Sequence, residues 1–280
     1  MSLLARRKRD YMRVLCIGDV VGSVGCDFLR KTLPKFKKIN AVDFVICNGE
    51  NSADGNGIIP ASAQHLFTSS VDVLTLGNHS FQRREIYNFL DSEQCIIRPA
   101  NFPSPSTPGR GYCTVDLGRT SVTVINLMGQ EYMDAKVDNP FYCIDEILKN
   151  IDSKIIIVDI HAETTSEKKA MGFYLDSKVS AVFGTHTHVQ TADECVLSGG
   201  TGYITDVGMT GPVDSVIGVR KEIIINRFRT KLPERFDYAD GECMLNAVLF
   251  DIPPKIQFEL TLTFTLSGTR ISMPPKIADT

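Results

Sequence analysis

Four of the five histidines in this 280-residue chain stand directly after short apolar runs. His79 follows Gly77-Asn78, His161 closes IIIVDIH, and His186 and His188 close VSAVFGTHTH, whereas His65 lies inside a segment with helical spacing. Carboxylates and amides hold the same position on two further runs: Gly18-Asp19 after VLCI, and Asn48-Gly49-Glu50-Asn51 after FVIC. Open α/β sheets place their sites at the carboxyl ends of strands, so these residues are expected along one edge. Taken singly, Gly18-Asp19 reads as a capped turn, and Gly49-Glu50-Asn51 or Gly77-Asn78-His79 as a glycine-assisted loop. Two carboxylates, two amides and four imidazoles at successive strand ends are not explained by independent turns. His186-Thr187-His188 is the most informative pair, because i and i+2 side chains of an extended segment point the same way and can reach one metal centre.

Carboxylate and amide oxygens mixed with imidazoles suit Fe, Mn, Zn or Co better than Ca or Mg. The donors are too many for one tetrahedral ion, so two divalent transition-metal ions are expected, iron or manganese before zinc, with Glu50 or His186 able to bridge. Two ions roughly 3.5 to 4 Å apart turn water into hydroxide at neutral pH and clamp a phosphoryl oxygen. Hydrolysis of a phosphate ester is the chemistry that follows.

The elements that must position these residues are legible in the same runs. Apolar segments at 13–17, 43–47, 71–76, 154–160 and 179–183 read as buried strands, and residues 26–38, 60–69, 82–90, 140–149 and 164–174 have helical spacing. Their alternation indicates βαβ units. YCTVDL, SVTVINL, MLNAVLFDI and FELTLTFTL follow one another with little helix between, which predicts a second, more antiparallel sheet packed on the first. The Pro- and Gly-rich stretches at 99–111 and 207–218 are expected as long surface loops.

Composition narrows the function classes. A hydrophobic fraction of 43% and no apolar stretch near the roughly 20 residues of a membrane span argue for a globular, non-membrane chain. A formal net charge of -3 disfavours duplex DNA as a partner. The eight cysteines are scattered and never form C-x-x-C, which reads as reduced thiols of a cytoplasmic protein. A basic start at Arg6 to Arg9 resembles a secretory signal, but Asp19 interrupts its apolar core, so residues 1–11 are expected as a solvated extension.

In order along the chain, GDVVG, NGEN, GNH, DIHAETTSEK, GTHTHVQTADE and GGTGYITDVGMTGPVDSVIG resemble the YmdB-like branch of the calcineurin-like metallophosphoesterases, described as 2',3'-cyclic nucleotide phosphodiesterase. The resemblance implies a four-layer α/β/β/α sandwich, two transition metals, a small cyclic nucleotide substrate and a homo-oligomer. The resemblance runs from about residue 12 to about residue 251, and one metallophosphoesterase domain is expected over residues 12–266, with 1–11 and 267–280 as terminal extensions. By motif position, Asp19 and His188 would bind one metal, and Asn78, His161 and His186 the other, with Glu50 bridging. Asn51 would contact substrate, and His79 would be the acid beside the phosphate. Ser80-Phe81-Gln82 and Gln130 depart from the family pattern and bear on substrate preference. Two other readings stay open: a metallohydrolase of another ester or an amide, separable by a panel of chromogenic substrates, and a metal-bound regulatory or RNA-associated protein without turnover.

Overall fold

The run FVICN has no polar and apolar alternation, the mark of a strand covered on both faces, and all five of its residues are buried. The computed structural model, which describes residues 11–253, is assembled from such runs. In chain order come β1 (Met12–Ile17), β2 (Asp19–Val20), α1 (Gly22–Ile39), β3 (Phe44–Asn48), α2 (Pro60–Thr68) and β4 (Val73–Thr75). A 3-10 turn at Arg84–Ile86 leads into α3 (Tyr87–Ser92), followed by β5 (Ile96–Ile97), β6 (Tyr112–Asp116), β7 (Ser121–Met128) and α4 (Pro140–Leu148). Next are β8 (Ile155–His161), α5 (Thr165–Tyr174), β9 (Ala181–Thr185), β10 (Cys195–Val196), β11 (Gly202–Ile204) and β12 (Met209–Pro212). The described chain closes with α6 (Lys221–Thr230), β13 (Cys243–Met244) and β14 (Ala247–Ile252).

This is a mixed α/β structure with three sheets and six α-helices among the described residues. One sheet has the order β14-β1-β3-β4-β5 and is parallel except for β14. Another, β10-β11-β9-β8-β7-β6, has a parallel centre and antiparallel edges. The small third sheet, β13-β12-β2, holds Asp19 in register with Met209. Alternate residues of β1 enter different cores, as a period of two requires. Val14 and Cys16 join a cluster shared by the two large sheets, with Phe44, Val124, Ile157 and Phe183. Leu15 and Ile17 pack with Leu29 and Leu33 of α1 and Leu66 of α2. Leu127, Val158 and Val182 pack with Ile144 of α4 and Met171 of α5. Pro60 and Pro140 open α2 and α4, and Thr164 caps α5 by accepting from the Glu167 amide.

The expected strands and helices up to β9 are all present, but their division between sheets is corrected. β8 and β9 belong to the second sheet, which they make parallel at its centre, while the MLNAVLFDI segment supplies β14 to the first. A run buried on both faces carries no mark of which sheet it joins. Residues 207–212 are buried rather than a surface loop, because Gly208 and Thr210 accept hydrogen bonds from the amides of Asp19 and Val21. Helix α6 interrupts the region where little helix was expected. FELTLTFTL lies outside the described residues, as do residues 1–10 and the end of the expected domain. All eight cysteines are free thiols. Among the described residues no helix is long and apolar enough to cross a membrane.

Candidate metal centre and active site

Asp159, two residues before the end of β8, ties the carboxyl edges of the two large sheets together. It accepts from the Thr75 hydroxyl of β4 at 2.5 Å and from the Thr185 hydroxyl of β9 at 2.8 Å. Burial pushes its carboxyl up to about 7, against the lowering effect of His161 and the two hydroxyls. Because the Thr185 hydroxyl is turned toward Asp159, its oxygen accepts from Nδ1 of His161 at 2.9 Å. That chain assigns the tautomer of His161 and turns its Nε2 toward the site.

Around this Nε2 lie Asn78 Oδ1 at 2.9 Å, Glu50 Oε1 at 3.1 Å and His186 Nδ1 at 3.1 Å. Donor atoms of Glu50, His161 and His186 all fall within 4.8 Å of one another. Three acceptors crowd a single nitrogen, more than one proton can serve, whereas a divalent cation takes all of them as ligands. The donor set therefore fits a divalent metal ion. Burial alone would raise Glu50, but His161 and His79 hold it at about 2, and Glu50 with Asp19 raises His161 to about 9 despite burial. Burial and the neighbouring His161 lower His186 to about 3, so its imidazole is neutral at physiological pH and free to ligate. Gly77 passes so close to His161 and Glu50 that any Cβ would collide with both.

A second group adjoins the first. His188 Nε2 lies 3.7 Å from Asp19 Oδ1 and 3.2 Å from Asn51 Nδ2, and its Nδ1 donates to the Ile217 carbonyl at 3.0 Å. Asp19 is fully buried, and burial raises its carboxyl. Its Oδ2 accepts the His186 amide at 3.1 Å, which joins the two groups. His79 diverges from Asn78: its ring Nδ1 meets Asn51 Oδ1 at 2.8 Å and its amide donates to Glu50 Oε2 at 2.9 Å.

All eight residues singled out from the sequence are thus brought together. The extended geometry assumed for His186-Thr187-His188 is not what joins them. His186 and His188 have φ of 100° and 65°, and the turn sends His186 to the Glu50 group and His188 to the Asp19 group. Asn51, expected at the substrate, is buried, with its amide oxygen on His79 and its nitrogen between Asp19 and His188. Sequence reasoning missed Asp159, Thr185, Glu163, which approaches His186 Nε2 at 3.0 Å, and the Lys168–Asp206 ion pair. A charged residue inside IIIVDI was the signal for Asp159. Of the departures from the family pattern, Phe81 packs edge-on against Tyr87 and Phe102, and Gln130 donates to the Val137 carbonyl.

The chain is 46% identical to the 2',3'-cyclic-nucleotide 2'-phosphodiesterase of Bacillus subtilis (strain 168), over 86% of this chain and 91% of that protein. A hypothetical protein from Thermus thermophilus superposes with a TM-score of 0.81 at 41% identity, covering 85% of this chain and 93% of that one. A novel phosphatase from Mycoplasma pneumoniae does so with a TM-score of 0.82 at 33% identity, covering 87% and 88%. The family described as YmdB-like protein matches residues 15–260, and the chain belongs to that family.

Proposed function

We propose that this protein is a dinuclear-metal-dependent phosphodiesterase acting on small cyclic nucleotides, 2',3'-cyclic nucleotides first among them. It is a hydrolase of the phosphodiesterase class, a reading supported by its identity to the Bacillus subtilis enzyme. The observation that carries the metal dependence is the ring of three acceptors around His161 Nε2. Asp19 and His188 would hold one ion, and Asn78, His161 and His186 the other, with Glu50 between them. When bound, iron, manganese or zinc ions polarise phosphoryl oxygens and make hydroxide available at neutral pH.

The chain's own residues do the rest. Asn51 accepts from His79 Nδ1–H and so orients the ring, leaving Nε2 to give a proton to the ribose oxygen as its bond to phosphorus breaks. In this reading Asn51 acts on the substrate through His79. The three apolar clusters support a four-layer α/β/β/α sandwich of the calcineurin-like metallophosphoesterase type, as one domain over residues 12–266. Free thiols support a cytoplasmic location, and the family resemblance a homo-oligomer.

The test is turnover after reconstitution with manganese or iron. Cleavage of bis(p-nitrophenyl) phosphate without monoester or amide turnover, and faster cleavage of 2',3'-cyclic than of 3',5'-cyclic nucleotides, is the expected result. Amide or monoester turnover alone would reject the phosphodiesterase reading, and bound metal with no turnover would favour a regulatory protein.

A further inference from the structure

We infer that the hollow beside His188 is the base-recognition subsite for a nucleotide whose phosphate lies at the donor cluster. The inference rests on the phosphodiesterase reading and adds where the nucleoside is held. The hollow is an open depression of about 560 Å³ lined by His188, Met209, Val216, Ile217 and Met244, with Gln190 and Asn246 among its polar residues. That size is ordinary for a small-molecule pocket.

His188 belongs to both places. One edge of its ring faces Asn51 and Asp19, and the other is fixed by the Ile217 carbonyl. A single imidazole therefore separates the donor cluster from the hollow, so one molecule with a phosphate and an adjoining apolar ring can occupy both. The walls match a nucleobase. Val189 and Ile217 are 61% and 51% exposed beside a strongly polar centre, an unusual place for bare apolar surface. Gln190 donates its amide nitrogen to the Ala247 carbonyl and Asn246 donates its own to the Met244 sulfur. Their amide oxygens remain as acceptors for exocyclic amino groups.

The backbone gives an independent reason. Ile217 has φ of 48°, a strained conformation for a β-branched residue. That strain is kept at the one residue whose carbonyl orients His188 and whose side chain also lines the hollow. A larger groove of about 1320 Å³ passes Arg83, Arg220 and Tyr238, but none of the eight site residues lines it. Two of its cations are paired with carboxylates, Arg220 with Asp237 and Lys221 with Asp214.

Met244→Ser and Val216→Ser, made separately so that one folded variant suffices, test the subsite in the metal-loaded protein. Kinetics are compared for adenosine 2',3'-cyclic phosphate and for methyl riboside 2',3'-cyclic phosphate, which has no base, and adenosine 3'-monophosphate binding is followed by calorimetry. The unsubstituted protein should show the lower KM for the nucleotide. Each variant should shrink that preference about tenfold and weaken the monophosphate to a similar extent. Equal KM values for the two esters in the unsubstituted protein, or an unchanged preference in a folded variant, overturn the subsite while the phosphodiesterase reading stands. No turnover of either ester by the unsubstituted protein overturns that reading, and the subsite with it. A change in sedimentation with the preference intact would make the hollow a contact between copies, which also overturns it.

Discussion

At the scale of single residues, Glu50 and His79 divide the work at one short range. Glu50 is 1% exposed and holds both His161 and the His79 amide, so it is part of the interior rather than a loop outside the core. In chelated protein its ion pair with His161 is a stability term with a defined pH window. Glu50 sits at about 2, below its ordinary value, so its contribution is present above about 4.5 and is lost as pH falls toward 2. His161 sits at about 9, above its ordinary value, so the same pair is lost as pH rises through about 9. Glu50→Gln should therefore cost chelated protein on the order of 3 kcal/mol near pH 7 and progressively less toward pH 2. Urea midpoints across that range check the sign, and the loaded variant should lose turnover. His79 has a different signature, because it meets Asn51 and Glu50 but lies outside the Glu50, His161 and His186 donor group. His79→Ala should keep both metals and slow esters with poor leaving groups by about 10² to 10⁴, while nitrophenyl esters suffer much less. Metal analysis beside a leaving-group series separates that outcome from a structural role, which would slow both alike.

Elements position these residues through an ion pair that touches none of the candidate ligand side chains. Lys168 of α5 and Asp206 are each 1% exposed and meet at 2.6 Å. Asp206 also accepts from the amide and hydroxyl of Thr187, between His186 and His188, and from the Gly208 amide. Gly208 in turn accepts from the Asp19 amide. One carboxylate thus holds the turn that presents two histidines and the turn that presents Asp19. Lys168→Met leaves that carboxylate buried without its cation, and should lower stability by about 3–5 kcal/mol and loosen metal binding. Adding Asp206→Asn should recover part of the stability but not the metal affinity, since the Thr187 turn still lacks its anion. A double-mutant cycle in denaturant, with metal competition on the same proteins, measures both.

For the molecule as a whole, the donors sit where the carboxyl edges of two sheets meet, so metal and fold are linked. The site draws on β2, on the end of β8 and on the loops after β3, β4 and β9, so ions bound there stabilise the native state alone. Elemental analysis of carefully loaded protein should find two ions per chain, and one or none would defeat the dinuclear reading. Free metal at 100 times its dissociation constant should raise stability by about 2.7 kcal/mol per ion, read as a thermal midpoint that climbs with metal concentration.

The sequence alone singled out the eight residues that the fold brings together, and the strands and helices up to β9. Strand ends are local events: an apolar run stops at Gly18-Asp19, Asn48-Gly49-Glu50 or Gly77-Asn78-His79, and the change of residue type is visible without partners. Which sheet each strand joins was not visible, because β1, β8 and β14 are all buried apolar runs and nothing in their pattern names a neighbour. Only the tertiary structure joined β14 to β1 and carried β8 and β9 into the second sheet. The turn at His186 and His188 was also beyond the sequence, since their positive φ is held by Asp206 and by Asp19, the latter 167 positions from His186. Asp159 shows the same limit. A carboxylate within an apolar strand is conspicuous, but its hydroxyl partners come from β9 beside it in the same sheet and from β4 of the other sheet, and only strand pairing and the packing of the two sheets supply them.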